Sequence, residues 1–215
     1  MADAKHVELI NRGVNAWNEW RMNHPGVVPD LTNADLHNQN LEYVNLEGVN
    51  LSGVNLSGAN LGKCKLVRAN LINANLENTL LWEADLEEAM ISLANLSRVG
   101  LEKASLLNAV LQQTNLSGAI LSDAVLAGAY LEGARLRDAV LITTNLNDAD
   151  LEKADITGIT FACCSAINWN INGIKCDYLY ADRERRDRYP KEGLFKPGEF
   201  EELFKSKQYV FECKI

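Results

Sequence analysis

Ser57-Gly58-Ala59-Asn60-Leu61 is one copy of a five-residue unit that runs in unbroken register from Leu31 to Phe161. Every fifth residue over that span is leucine except Ile91, Ile156 and Phe161. Two residues before each of these sits a small or apolar side chain, most often alanine; Gln39 is the outlier. The unit is A-(N/D)-L-x-x, seen again in Ala149-Asp150-Leu151. This period cannot be one amphipathic helix, because at about 100° per residue five residues advance ~140° net and scatter the leucines around the cylinder. A strand fits better. The Leu and the residue two before it point one way, and the Asn or Asp between them points the other. The two x positions are rich in Gly, Asn, Asp and Ser, as in Ser52-Gly53 and Asn147-Asp148, which suits a bend. Each unit is therefore a very short strand plus a corner.

A bent strand this short cannot bury its leucine alone. Stacking coil on coil buries a continuous Leu column and pairs the backbone between neighbours, giving an all-β solenoid. The Ala column lets opposite walls approach. A larger side chain there should overpack the core at ~1–3 kcal/mol.

These residues resemble the pentapeptide-repeat family. The resemblance implies a right-handed quadrilateral β-helix with four units, or twenty residues, per coil. A weaker echo continues as Ala166, Ile171 and Cys176, so the reading is an N-terminal helical cap over 1–30, a β-helix over 31–176 and a C-terminal segment over 177–215. Val7, Ile10, Val14 and Trp17 make one apolar face of a helix predicted over 5–22, ended by His24-Pro25-Gly26. Trp17-Asn18-Glu19-Trp20-Arg21 looks like the cap of some bacterial, especially cyanobacterial, members; an aromatic docking helix is the alternative. In the C-terminal segment, Pro197-Gly198 precedes a short helix predicted over Glu199–Lys205, and Tyr209-Val210-Phe211 could form a strand. Phe195, Phe200, Leu203, Phe204, Tyr209 and Phe211 either cap the rod or join two copies; the resemblance makes a homodimer through this segment an expectation.

The net charge of −8 opposes nucleic-acid binding by phosphate attraction. The acidity belongs to the repeats, because residues 31–160 carry 16 acidic and 8 basic side chains and residues 161–215 carry 9 and 10; the run Arg183, Arg185, Arg186 and Arg188 is broken by Glu184 and Asp187 and reads as a solvated surface. A twenty-residue coil brings Lys63, Glu83, Lys103 and Asp123 into one ladder and pairs Arg68 with Glu88, Lys65 with Asp85 and Arg135 with Asp155. Glu132 and Glu152 face each other with no such explanation. The outward residue before each Leu turns apolar in mid-rod. Leu80, Gly100, Ile120 and Val140 fall in one column; Met90, Val110 and Tyr130 fall in the opposite one, and Trp82 is a further outward residue. Such a surface marks a protein contact or apolar stacking along a β-wall.

No nucleophile–base pair, phosphate-binding glycine loop or metal-ligand motif appears, so no enzyme, cofactor or metal is expected. The five cysteines have no C-x-x-C spacing; a bridge between Cys163 and Cys176 stays open. No apolar run is long enough to span a bilayer, and Met1–Arg12 lacks a secretory pattern, so a cytoplasmic protein is expected. The function read from the sequence is a structural or interaction module for an unidentified protein partner. The alternative implied by the resemblance is a DNA-mimicking modulator of DNA gyrase or topoisomerase IV.

Overall fold

The structure, a computed structural model, describes residues 2–205. The five-residue rhythm of the sequence becomes a coil of twenty. Each residue just before a Leu pairs in parallel with the residue twenty further on, beginning Asp30↔Asn50 and Asp35↔Asn55 and reaching Asp155↔Lys175. Four such bridges close one coil, so the rod has four walls. The first runs through Val110, the second through Asn95, the third through Ile120 and the fourth through Ser105. Backbone bonds alternate between neighbouring coils: Leu61 N donates to Leu80 O at 2.7 Å, and Leu80 N returns to Ala59 O at 2.9 Å. On the third wall the pairing widens into strands β1, Val140–Ile142, and β2, Thr160–Ala162.

The leucines fill the interior. Leu31 through Leu151 are buried at every fifth position, with Ile91 among them. The alanine column is buried beside them. Where threonine replaces alanine its hydroxyl finds a carbonyl: Thr79 Oγ1 donates to Leu56 O at 2.8 Å and Thr144 Oγ1 to Leu121 O at 2.9 Å. A satisfied buried hydroxyl carries no desolvation penalty, so these positions are compatible with the core. Gln39 escapes the column differently. It lies in the first coil, and its Nε2 donates out to Asn11 Oδ1 at 2.8 Å.

The corners are four-residue turns, such as the one closed by Ala34 N to Leu31 O at 3.0 Å. Their third residue is left-handed: φ is +56° at Asn33 and +66° at Gly53. This is why Asn, Asp and Gly crowd the second x position, since they adopt that conformation at least cost. Leu93, with φ +63°, does not belong to that set.

At the N-terminus the single predicted helix is two, α1 over Ala4–Asn11 and α2 over Val14–Asn23. Gly13 takes φ +105°, a backbone that ends α1 and turns the chain. The apolar face survives the break, because Ile10 and Trp17 are both buried against the first coil.

At the other end the third wall gains β3, Leu179–Tyr180, parallel to β2, and then β4, Arg188–Tyr189, antiparallel to β3. The antiparallel strand covers what would be an open parallel edge. The helix expected over Glu199–Lys205 is present as α3. Its Phe200 is buried, and Phe204 lies edge-on to both Phe161 and Trp169, at 5.8 and 5.3 Å between ring centres. Phe195 packs against Phe200 at 5.9 Å, and Leu203 is half-buried. Tyr209, Phe211 and the strand predicted around them lie outside the described residues.

The bridge left open between Cys163 and Cys176 is not formed. Cys163 is disulfide-bonded, whereas Cys176 is a free, buried thiol. Cys64 is likewise buried and free, and burial raises its pKa far above the ordinary thiol value. Among the described residues no helix is long and apolar enough to cross a membrane, and no cluster of three His, Cys, Asp or Glu could hold a metal ion.

Candidate interaction walls

The four walls differ in what they offer. The second wall is a ladder of side-chain amides. Asn55 Nδ2 donates to Asp35 Oδ1 at 2.9 Å, Asn75 to Asn55 at 3.2 Å, Asn95 to Asn75 at 3.3 Å and Asn115 to Asn95 at 3.1 Å. Each Asn Oδ1 also accepts from the backbone N–H two residues on, as Asn95 does from Ser97 at 3.2 Å. These amides spend much of their bonding capacity within the rod.

The third and first walls are apolar in the middle. On the third, Leu80 is 49% exposed and Ile120 40%, with Val140 half-buried above them and Gly100 between. On the first, Met90 is 41% exposed and Tyr130 50%, with Val110 between them. Strict parallel bridges hold both columns: Leu80↔Gly100, Gly100↔Ile120 and Ile120↔Val140 on one side, Met90↔Val110 and Val110↔Tyr130 on the other. Trp82 lies differently. Its indole packs flat on Gly62, where an added Cβ would meet Trp82 Cε2 at 2.3 Å, and Lys63 Nζ sits 4.9 Å from its ring centre. Trp82 is half-buried at the corner beyond Leu80. Leu93, at the corner beside Met90, was not singled out from the sequence, because it falls at an x position and not in the outward column; it is exposed.

Charges at the corners pair mostly along a diagonal. Lys63 meets Glu83 at 3.7 Å, the first rung of the expected ladder. Asp123, at the ladder's far end, accepts from Thr143 Oγ1. Arg68 pairs with Glu47 at 3.3 Å instead of Glu88, and Arg98 pairs with Glu77. Asp155 is held by Arg137 at 3.0 Å and Lys175 at 3.5 Å rather than by Arg135. Lys65 and Asp85 are bridge partners in the backbone, but no ion pair forms between them among the described residues. In Arg68–Glu47 and Arg98–Glu77 the left-handed corner residue reaches the preceding x residue of the coil below. The same diagonal explains Glu132 and Glu152. Lys153 Nζ lies 3.6 Å from Glu132 and 2.7 Å from Glu152, bridging both. Its hydrogen bond to Glu152 holds the Lys153 pKa up and the Glu152 pKa down.

The basic run of the C-terminal segment is tied into the structure. The Arg185 guanidinium donates to Thr160 Oγ1 and Gly158 O, both at 3.0 Å, and to Asp138 O at 3.1 Å. Arg188 lies 4.6 Å from the Tyr178 ring centre and donates to Gly193 O at 2.7 Å. Arg186 pairs with Glu184 at 3.2 Å.

A twenty-residue coil, four walls and an inward Leu column define a β-helical repeat protein. The pentapeptide-repeat profile, described as "Pentapeptide repeats (8 copies)", matches residues 30–66, 64–101, 94–126 and 119–158. The chain belongs to this family, and its fold is the family's right-handed quadrilateral β-helix. A comparison with curated protein sequences gave no match. Among solved structures, the chain is similar to HetL, a pentapeptide repeat protein involved in heterocyst differentiation regulation from the cyanobacterium Nostoc sp. strain PCC 7120. Identity is 24% and the TM-score 0.47, over 77% of this chain and 87% of that one. It is also similar to QnrB1, a plasmid-mediated fluoroquinolone resistance protein, at 18% identity and a TM-score of 0.45, over 69% and 88% of the two chains. A pentapeptide repeat protein from the Arabidopsis thaliana thylakoid lumen matches at 27% identity with a TM-score of 0.32, over 57% of this chain and 68% of that one.

Proposed function

We propose that this chain is a non-enzymatic interaction module, a rigid β-helical rod that presents flat walls to a protein partner. In this reading residues 1–30 and 177–215 close the two ends, and 31–176 carry the walls. The observation that supports it is the contrast between walls. The Asn55–Asn115 ladder turns its polar groups on itself, while Leu80, Ile120, Met90 and Tyr130 keep large apolar side chains exposed on two opposite walls. Aligned apolar side chains on a fixed backbone lose little entropy on contact, which favours docking of a complementary surface.

The DNA-mimic reading needs a surface of free acidic groups. Here Glu47, Glu77, Glu83, Glu132, Glu152 and Asp155 each have a Lys or Arg partner within the rod. Glu42, Asp85, Glu87, Glu88, Glu102, Asp148 and Asp150 have no such partner among the described residues, so the preference for the interaction module rests on the exposed apolar walls.

The test is affinity capture with the wild-type rod and with Val110→Asp/Ile120→Asp. Proteins held by the wild type should be lost from the variant while its circular dichroism melt stays cooperative. Identical capture by both proteins would exclude these walls. A gyrase supercoiling assay, with and without a quinolone, should show no effect of the rod; inhibition or drug protection would restore the alternative.

A further inference from the structure

The first wall sets an apolar centre between two pairs of carboxylates, and we infer that it binds a cationic amphipathic helix of a protein partner, lying along the rod axis. This inference rests on the interaction-module reading and gives one of its two walls a partner of defined chemistry.

Met90, Val110 and Tyr130 stand in successive coils, and the corners beside them add the exposed Leu93 and the half-buried Leu107. Below, Glu87 and Glu88 occupy the corner on the other side of Met90 from Leu93. Above, Asp150 follows Tyr130 in the column, with Asp148 at its corner. None of these carboxylates has a Lys or Arg partner among the described residues. Asp148 Oδ1 accepts from Asn168 Nδ2 at 3.2 Å, and Asp150 Oδ1 accepts from Glu152 N at 3.0 Å and Asn170 Nδ2 at 2.9 Å. Those donors are neutral and leave both charges standing. The cations of this wall are already engaged: Arg68 pairs with Glu47, and Lys153 is shared by Glu132 and Glu152. The rim is therefore net negative at both ends of an apolar strip and complements a positively charged surface. The third wall differs, because Lys63, Arg98, Lys103 and Arg137 are spread among its acids.

The spacing selects a helix. Rows of the wall are ~4.8 Å apart. Side chains at i, i+3 or i+4, and i+7 of an α-helix advance about 5.4 Å per turn, so they stay opposite three rows with a drift of about 1 Å. One face of a strand advances about 6.7 Å every second residue and leaves the rows after the first contact. The Glu88 row and the Asp150 row are three coil steps apart, about 14 Å, which places the basic residues of the helix ~10 positions apart. The partner thus lays its apolar stripe on Met90, Val110 and Tyr130 and sets a Lys or Arg against each carboxylate pair. The same rim repels phosphate backbones and anionic lipid surfaces.

The experiment is fluorescence anisotropy of a labelled peptide titrated with the full chain. The probe is an alanine-based helix with leucine at i, i+4 and i+7 and lysines about ten residues apart bracketing that stripe. A control peptide carries glutamate in place of each lysine. The lysine peptide should bind with a Kd of about 10–100 µM at low salt. Its affinity should fall about 5-fold or more at ~0.5 M salt, because exposed charges are screened. The glutamate peptide should not bind. Glu87→Gln/Glu88→Gln should weaken binding about 5-fold and flatten the salt dependence. Met90→Ser/Tyr130→Ser should weaken it at both salt concentrations, and Ile120→Asp on the third wall should change nothing. All variants should keep the wild-type circular dichroism melt. Equal binding of the two peptides, wild-type affinity in Glu87→Gln/Glu88→Gln, or loss on Ile120→Asp would each overturn the inference. A chain that dimerises alone and loses the dimer with Met90→Ser/Tyr130→Ser would give the wall to a second copy and overturn it as well. A rod that ignores the lysine peptide yet loses captured proteins on Val110→Asp would sink the cationic helix and keep the interaction module. Peptide binding at the first wall with capture indifferent to Val110→Asp/Ile120→Asp would do the reverse.

Discussion

The indole N–H of Trp17 donates to the main-chain carbonyl of Asn45 at 2.7 Å, where the upper coils use a backbone N–H. One coil up, the equivalent carbonyl of Lys65 accepts from Leu46 N at 2.7 Å. Beneath Asn45 the chain is helix, and side chains of α2 replace the missing coil. Asn18 Oδ1 accepts from Asn45 N at 2.8 Å, as Val44 O accepts from Lys65 N at 3.0 Å. Arg21 Nη2 donates to Glu47 O at 2.6 Å, as Gly48 N donates to Val67 O at 2.9 Å. Trp17, Asn18 and Arg21 thus mimic one edge of a coil from a helix.

Trp17→Phe keeps an aromatic ring in the buried site but removes the donor together with the second ring of the indole. The Asn45 carbonyl is then left unpaired at a covered position, which costs about 1–3 kcal/mol. The denaturant midpoint should fall accordingly. Hydrogen exchange should rise first in residues 30–50, because repeat stability is a sum of local interfaces. Uniform acceleration along the rod would mean that the cap does not act locally.

Leu93 sits left-handed, with φ +63°, and is 53% exposed. It carries the strain of that backbone without the compensation of burial. Leu93→Asn should raise stability by up to ~1 kcal/mol. The converse is Gly53→Ala. Its φ is +66°, and the added Cβ would meet Asn33 Oδ1 at 2.1 Å. That substitution should cost about 1 kcal/mol or more. Paired thermal melts read both signs.

The backbone of this protein was legible from its sequence, while much of its side-chain pairing was not. The Leu31–Phe161 register dictates which residues stack, since one slip would expose every leucine. Arg68, however, pairs with Glu47 and Lys63 with Glu83, a choice between diagonal and straight partners that the spacing alone does not make. The break at Gly13 was hidden because the apolar spacing of Val7, Ile10, Val14 and Trp17 continues across it. β3 and β4 carry no repeat, so their pairing follows from tertiary contact alone. The apolar columns were legible as positions. The packing of Trp82 over Gly62 was not legible, because it depends on a neighbour one coil away.

Asp155 links the rod to pH. Burial pushes its carboxyl up, but hydrogen bonds from Thr157 and the Arg137 guanidinium outweigh that, and the pKa ends below the usual value. A carboxylate whose folded pKa is depressed stabilises the fold above the unfolded pKa, about 3.9, and loses that contribution as pH falls through the folded value. Asp155→Asn should therefore lower the Tm at pH 7. The gap to wild type should shrink below pH ~4 and close below the folded pKa. A gap that is constant with pH would assign the loss to packing.

Leu101 and Ile120 are joined by one backbone bond, Leu101 N to Ile120 O at 2.7 Å, yet their side chains lie on opposite sides of the wall. Leu101 is fully buried, and Ile120 is 40% exposed. The same substitution should therefore separate them completely. Leu101→Asp places an unpaired carboxylate in the leucine column, at a cost of several kcal/mol that no corner can relieve. It should abolish the cooperative melt or leave the protein insoluble. Ile120→Asp places its charge in water and should shift the Tm by only a few degrees, because exposed outward positions tolerate polar groups. Circular dichroism on the two variants checks the inside/outside assignment of the whole repeat. Two soluble proteins with wild-type spectra would refute it.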